Sequence, residues 1–296
     1  MYAGPPLVGV FTTCDPACHL AFVAQDRVLP LTESDPAVDV SAPSLAPDLQ
    51  HVAYRCAAAG VEPGGTEPPR PAGRGSICVL AIGEEDATPQ LMTSPLSDPT
   101  IDFGAPAWSP DGARLAFQFL RESGEAGIGM WAPGSDTWVV VTPEVGEVSN
   151  PAWSADGAML AFTCGTADGE TGLTTRFCVM PSGGGDVTSL GAVGGSCGVP
   201  TFMPDHEHLG VVCVAPDLPG GDLFKVSLSE PLSRSVTGDQ SIAIEGQLRV
   251  VFSSAGSYAF VRRDDALMAL QITTEAWLLA AHQPLHGDFD VRVVPE

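Results

Sequence analysis

The sequence predicts an all-β chain folded as a single six-bladed β-propeller, with four antiparallel strands per blade and a C-terminal strand that completes the N-terminal blade and closes the ring. Three observations carry this expectation: a strand-turn-strand phrase that recurs along the chain, a composition rich in turn formers, and eight cysteines whose positions fit a blade register. The 33 glycines and 27 prolines among 296 residues break the chain into many short elements and leave no room for long helices.

The phrase is clearest at Pro106 to Phe117 (PAWSPDGARLAF) and returns 45 residues later at Pro151 to Phe162 (PAWSADGAMLAF). Weaker copies stand at Pro43 to Tyr54, Pro200 to Val211 and Val250 to Phe260. In the strong copies Asp111 with Gly112, and Asp156 with Gly157, make a tight turn. The Asp side chain bonds nearby backbone and the glycine accepts positive φ. Alternating apolar residues follow, as a half-buried strand requires. Units of four strands repeated at this spacing pack radially and hide their edges.

The ends of the second strands, aligned at Cys14, Cys56, Phe119, Cys164, Cys213 and Arg262, are 42, 63, 45, 49 and 49 residues apart, which gives six blades. Their expected extents are 1–40 plus 288–296, 41–98, 99–147, 148–192, 193–241 and 242–287. Blade one opens on a second strand, Leu7 to Thr13, then a third, Cys18 to Val23, so its first strand is missing. The tail at Asp290 to Val294 supplies it and removes the last open edges. Blade two carries the longest insertion, Ala57 to Ile77. Blades three and four hold the strong phrases, with Trp108 and Trp153 on inner strands, where they pack between blades. Blade four adds a second long loop, Gly165 to Phe177. Blades five and six follow the weaker copies.

The cysteines fit this register. Cys14 with Cys18, Cys56 with Cys78, and Cys164 with Cys178 sit where a second strand hands over to a third. A turn centred on Pro204 to His206 sets Cys197 opposite Cys213 in an antiparallel register. All four bridges staple one face, the face of both long loops. No metal-type C-x-x-C pair is present, so the pattern implies an oxidising compartment: secreted, periplasmic or cell-surface. Residues 1 to 13 lack a basic n-region and a cleavage site, so an export signal is expected to have been removed. No run of about 18 apolar residues argues for membrane insertion.

The net charge of −23, with Lys225 the single lysine, repels phosphate backbones and excludes nucleic acid as a partner. It also keeps the surface solvated.

The two strong phrases, with strand-turn-strand stretches such as CVMPSGGGDVTSL, closely resemble the repeats of TolB-like, WD40-like propellers, in weakened form over nearly the whole chain. The resemblance implies a periplasmic or exported six-bladed scaffold that binds proteins, and the lack of an Asn-x-Ser/Thr sequon, with Asn150 followed by Pro151, fits a bacterial origin. The same repeat also occurs in propeller domains attached to prolyl-oligopeptidase-like hydrolases. With no α/β stretch ahead of the propeller in this sequence, a role in the TolB envelope complex is not expected. The matching residues are turn and core positions and carry over fold, not a site.

Candidate chemistry is sparse. Gly194 to Gly198 fits G-x-S-x-G, but it opens an inner strand rather than a strand-to-helix elbow, and its variable residue is Cys197. Asp205, His206 and His208 are the types that hold zinc or copper, yet adjacent residues of a tight turn point apart. His282 and His286 fall in a strand and the loop after it. Asp48, Asp111, Asp156 and Asp205 recur at equivalent turn positions and bond backbone. Trp131 and Trp138 flank a turn and are the better aromatic candidates for an exposed contact. Asp102, Asp168 and Glu170 could form an all-carboxylate site, and structural calcium in acidic loops is the expected form of any metal binding. The residues therefore point to recognition of a protein or peptide partner on the stapled loop face. The alternative is a calcium-dependent hydrolase or lyase working in the central channel.

Overall fold

The computed structural model describes residues 7–14, 17–24, 27–33, 35, 38–58, 74–82, 90–92, 95–142, 147–169, 172–215, 218–229, 233–235, 250–252, 258–263, 266–271, 276–281 and 289–293. These residues form six small antiparallel sheets, one per blade, and no helix.

Blade one comprises β1 (Leu7–Cys14), β2 (Cys18–Ala24), β3 (Arg27–Pro30) and the last strand, β25 (Phe289–Val293), which pairs with β1 from Leu7↔Val293 to Phe11↔Phe289. Blade two runs through β4 (Val38–Leu45), β5 (His51–Ala58), β6 (Ser76–Ala81) and β7 (Gln90–Met92). Blade three holds β8 (Ile101–Trp108), β9 (Leu115–Arg121), β10 (Ala126–Trp131) and β11 (Trp138–Val140). Blade four holds β12 (Ser149–Trp153), β13 (Met159–Gly169), β14 (Gly172–Pro181) and β15 (Thr188–Gly194). In blade five the inner strand is split into β16 (Ser196–Cys197) and β17 (Thr201–Phe202), both paired with β18 (His208–Ala215), followed by β19 (Leu218–Ser227) and β20 (Ser233–Ser235). Blade six is β21 (Val250–Phe252), β22 (Tyr258–Arg263), β23 (Ala266–Gln271) and β24 (Ala276–Ala281). The divides at 40/41 and 192/193 fall inside β4 and β15, because backbone pairing continues past the repeat phrase from which they were read.

The phrase builds the same device twice. Asp111 Oδ1 accepts from Ser109 Oγ at 2.5 Å and from the Ala113 N–H at 3.0 Å, and Ser109 Oγ accepts from the Arg114 N–H. Ser154, Asp156, Ala158 and Met159 repeat it in blade four. Gly112 and Gly157 take φ of 70° and 72°, and a Cβ on either would rest on a proline of the preceding blade's turn, Pro47 or Pro110. The weaker copies place Leu49 (φ 60°) and His206 (φ 58°) at this same point. A second device accompanies it. Ala42, Ala105 and Asn150, each just before a proline, have positive φ where the inner strand slips register against its neighbour. This bulge bends each inner strand.

Among the described residues six apolar clusters pack the ring, each straddling one blade boundary. Polar hoops reinforce them along the inner strands. Ser44 Oγ accepts from the Trp108 N–H, Trp153 Nε1 donates to Ala107 O at 2.9 Å, and Thr201 Oγ1 donates to Val250 O at 2.9 Å. Trp131 and Trp138 differ from the sequence expectation. Trp131 is buried and donates from Nε1 to Ser135 O, while Trp138 packs edge-on to Phe103 and Phe117. The β10–β11 pairing sets Trp131 opposite Trp138 and draws both into the core between blades two and three.

Candidate functional site

A four-stranded blade sends its loops to two ends. The turns of the repeated phrase lie at one, and the second-to-third-strand loops with the inter-blade connections lie at the other. The crosslinks gather at the second end. Cys56–Cys78 joins β5 to β6, Cys164–Cys178 joins β13 to β14, and Cys197–Cys213 joins β16 to β18, with S–S distances of 1.99, 2.00 and 2.03 Å. Only the last joins directly opposed residues. In the first two the register is Tyr54↔Cys78 and Phe162↔Cys178, so the bonds run diagonally to a neighbour two positions on. Cys18 is disulfide-bonded and stands opposite Cys14 in the strand register, while the Cys14 side chain lies outside the described residues.

The insertion of blade two lies outside the described residues from 59 to 73, but its exit is clear. The Gly75 N–H donates to Asp102 Oδ1 at 2.7 Å and Gly75 O accepts from the Phe103 N–H, which ties the base of the insertion to blade three. Arg55 completes the joint, with Nη2 on Asp102 Oδ1 at 3.1 Å and Nε on Phe103 O at 3.2 Å. Arg74 adds an ion pair to Glu122. Asp39, nearer the channel, has its carboxyl pushed up by burial, which the charge of Arg55 offsets only in part. The second expected long loop proves to be a hairpin. β13 and β14 stay paired from Thr166↔Thr175 to Gly169↔Gly172, because threonines on both strands suit an extended ladder. Thr175 Oγ1 anchors this hairpin to Gly195 O at 2.8 Å.

Between blades three and four the same face opens into a cleft of about 480 Å³, lined by Gln118, Leu120 and Ala126 on one side and Glu147, Val148 and Ser149 on the other. That volume lies in the range of small-ligand and side-chain pockets. At the opposite end a smaller cavity of about 140 Å³ sits on the ring axis, among Ser44, Trp108, Trp153, Thr201, Val251 and Asp290 from the inner strands.

Asp205, Asp48 and Asp102 make structural contacts. Asp205 Oδ2 bonds His208 Nδ1 and Lys225 Nζ, each at 2.9 Å, and its Oδ1 accepts the Glu207 N–H. Burial raises its carboxyl, but the Lys225 ammonium, that N–H and His208 outweigh it and hold the value below the usual carboxylate range. The Lys225 ammonium supplies the positive charge that pairs with Asp205, and His206 is the exposed residue at the positive-φ point of the turn. Asp48 makes the matching contact to His51 Nδ1 at 2.7 Å. Asp102 is held by Arg55 and Gly75, while the side chains of Asp168 and Glu170, and all of His282 and His286, lie outside the described residues. Among the described residues no three His, Cys, Asp or Glu side chains are grouped to hold a metal. Ser196 is exposed on a two-residue strand with no helix after it.

The cleft gave no motif in the sequence. Its signal was a difference between repeats at equivalent positions, visible only once the blades are superposed.

No protein-family model matches the sequence, and no curated protein matches it. Solved structures match it in fold. TolB from Acinetobacter baumannii gives a TM-score of 0.65 at 16% identity over 97% of this chain and 65% of that one, so the present chain spans just under two thirds of that TolB. Oligogalacturonate lyase from Vibrio parahaemolyticus gives 0.57 at 11% identity, covering 91% of this chain and 73% of the lyase. A puromycin-hydrolyzing peptidase of Mycobacterium tuberculosis gives 0.55 at 14%, covering 92% of this chain and 45% of the peptidase. Identities this low show the fold alone: the chain folds as a six-bladed propeller, as TolB does.

Proposed function

We propose that this propeller is a non-enzymatic binding module of an oxidising compartment, bacterial and exported, that recognises a protein or peptide through its disulfide-stapled face. The observation that carries the reading is the concentration of crosslinks on the face where Gly75 pins the exit of the insertion to blade three. Recognition elements work best on loops fixed to a rigid scaffold, because less ordering entropy is lost on binding. The resemblance to TolB-like scaffolds supports the same role. The test is capture of a partner from an extracytoplasmic extract. Deleting 59–73 and shortening the hairpin at 166–175 should abolish capture, and capture that survives both changes refutes the reading.

A second reading, a calcium-dependent hydrolase or lyase acting in the channel, draws support from the lyase among the structures of like fold. Chelator-sensitive turnover of acidic sugars, esters or lactones would establish it. Structural calcium in the acidic loops is tested separately, by a chelator-induced fall in Tm that added calcium reverses.

A further inference from the structure

We propose that the cleft between blades three and four receives an arginine side chain presented by the partner, at the place its own repeat leaves unfilled. The proposal rests on the binding-module reading above and names what the stapled face recognises.

Two successive blade boundaries differ at equivalent positions. A shift of 63 residues carries blade two onto blade three, and a shift of 45 carries blade three onto blade four. At the boundary of blades two and three, Arg55 reaches across to the Asp102 carboxylate and the Phe103 carbonyl. One boundary later, these positions are Gln118, Glu147 and Val148. The acid is retained and the carbonyl position recurs, but the arginine is replaced by a shorter, uncharged amide. The strand register extends the correspondence, setting Ala126 where Gly75 stands, beside the second strand.

Gln118, Ala126, Glu147 and Val148 all line the cleft. The space that a guanidinium fills at one boundary is therefore open at the next, with a carboxylate on its rim. Among the described residues no basic side chain bonds Glu147. Leu120, exposed beside Gln118, offers an apolar wall to an aliphatic stem, and the Ser149 hydroxyl adds an acceptor. A planar group with five N–H donors suits several acceptors around an apolar wall better than a compact ammonium does. The net charge of −23 steers a basic partner toward the surface.

The probe is the capped tripeptide acetyl-Gly-Arg-Gly-amide, compared by NMR titration with its citrulline analogue, which keeps the shape and loses the charge. The arginine peptide should shift resonances of Gln118, Ser149 and Ala126 and bind at least about tenfold more tightly than citrulline. Glu147→Gln should remove that preference. Gln118→Arg should restore the pairing of the earlier boundary from within, excluding the peptide and raising Tm. Equal binding of the two peptides, no binding of either, or unchanged binding by Glu147→Gln overturns the proposal. Should Gln118→Arg fail to fold, Glu147→Gln decides the matter, since its exposed position carries no structural bond. A protein partner lost on deleting the loops but retained by Glu147→Gln leaves the binding-face reading standing and removes this inference alone.

Discussion

The carboxylate of Asp290, on the strand that closes the ring, accepts a 2.8 Å hydrogen bond from the backbone N–H of Leu45 in the next blade. Both residues are buried, and they are 245 positions apart in the chain. The ring is thus closed twice, by the β1–β25 ladder and by a side chain reaching past it. Asp290→Ala takes this acceptor from a buried N–H and should cost about 1–3 kcal/mol in urea unfolding. Asp290→Asn, which keeps an acceptor oxygen, should cost less.

His206 stands at φ 58° where the sister turn has Gly157 at 72°. A side chain there carries a steric cost of roughly 1–2 kcal/mol, set against the greater unfolded freedom of glycine. His206→Gly should therefore raise Tm slightly and Gly157→Ala should lower it. The reverse order in a thermal melt would contradict the assignment of His206 as a turn residue.

Arg114 of blade three lies over the Trp153 ring of blade four, its Cζ 4.8 Å from the centroid, while the indole N–H bonds back to Ala107 O. Trp153→Phe should lose about 1 kcal/mol from the hydrogen bond. A double-mutant cycle with Arg114→Ala should give a coupling of about 0.5–1 kcal/mol between the two blades.

Asp111 and Asp156 have carboxyls held below the ordinary value of 3.8, chiefly by the hydroxyls of Ser109 and Ser154 and then by backbone N–H groups. A depressed folded value stabilises the fold fully above the unfolded value, and that contribution is lost as pH falls through the folded one. Tm should therefore hold at neutral pH and decline below about pH 4, and the decline should be shallower in the Asp111→Asn, Asp156→Asn double variant.

Cys56–Cys78 closes 22 residues at the base of the insertion. Replacing both cysteines by serine should cost about 2–4 kcal/mol of unfolding free energy. If the stapled face recognises a partner, the same change should weaken capture more than it lowers stability at the assay temperature.

Much of the fold was legible because the repeat phrase is local. Ser109, Asp111 and Gly112 specify a turn through bonds that span five residues or fewer, so sequence alone reveals them. Register then followed from the turn, and with it the opposition of Cys197 and Cys213. Trp131 and Trp138 misled because flanking a turn does not reveal which face a strand buries, and that is set by the neighbouring blade. The segment from Gly165 to Phe177 misled because a pairing ladder can continue through residues with no strong apolar alternation.

The sequence by itself determined the number of blades, the tight turns and the strand that joins tail to head, since each is written in short-range chemistry repeated along the chain. Tertiary structure alone decided that the Arg55 and Asp102 pair has an unfilled counterpart at Gln118 and Glu147. That relation exists only between blades, across contacts that no run of neighbouring residues encodes.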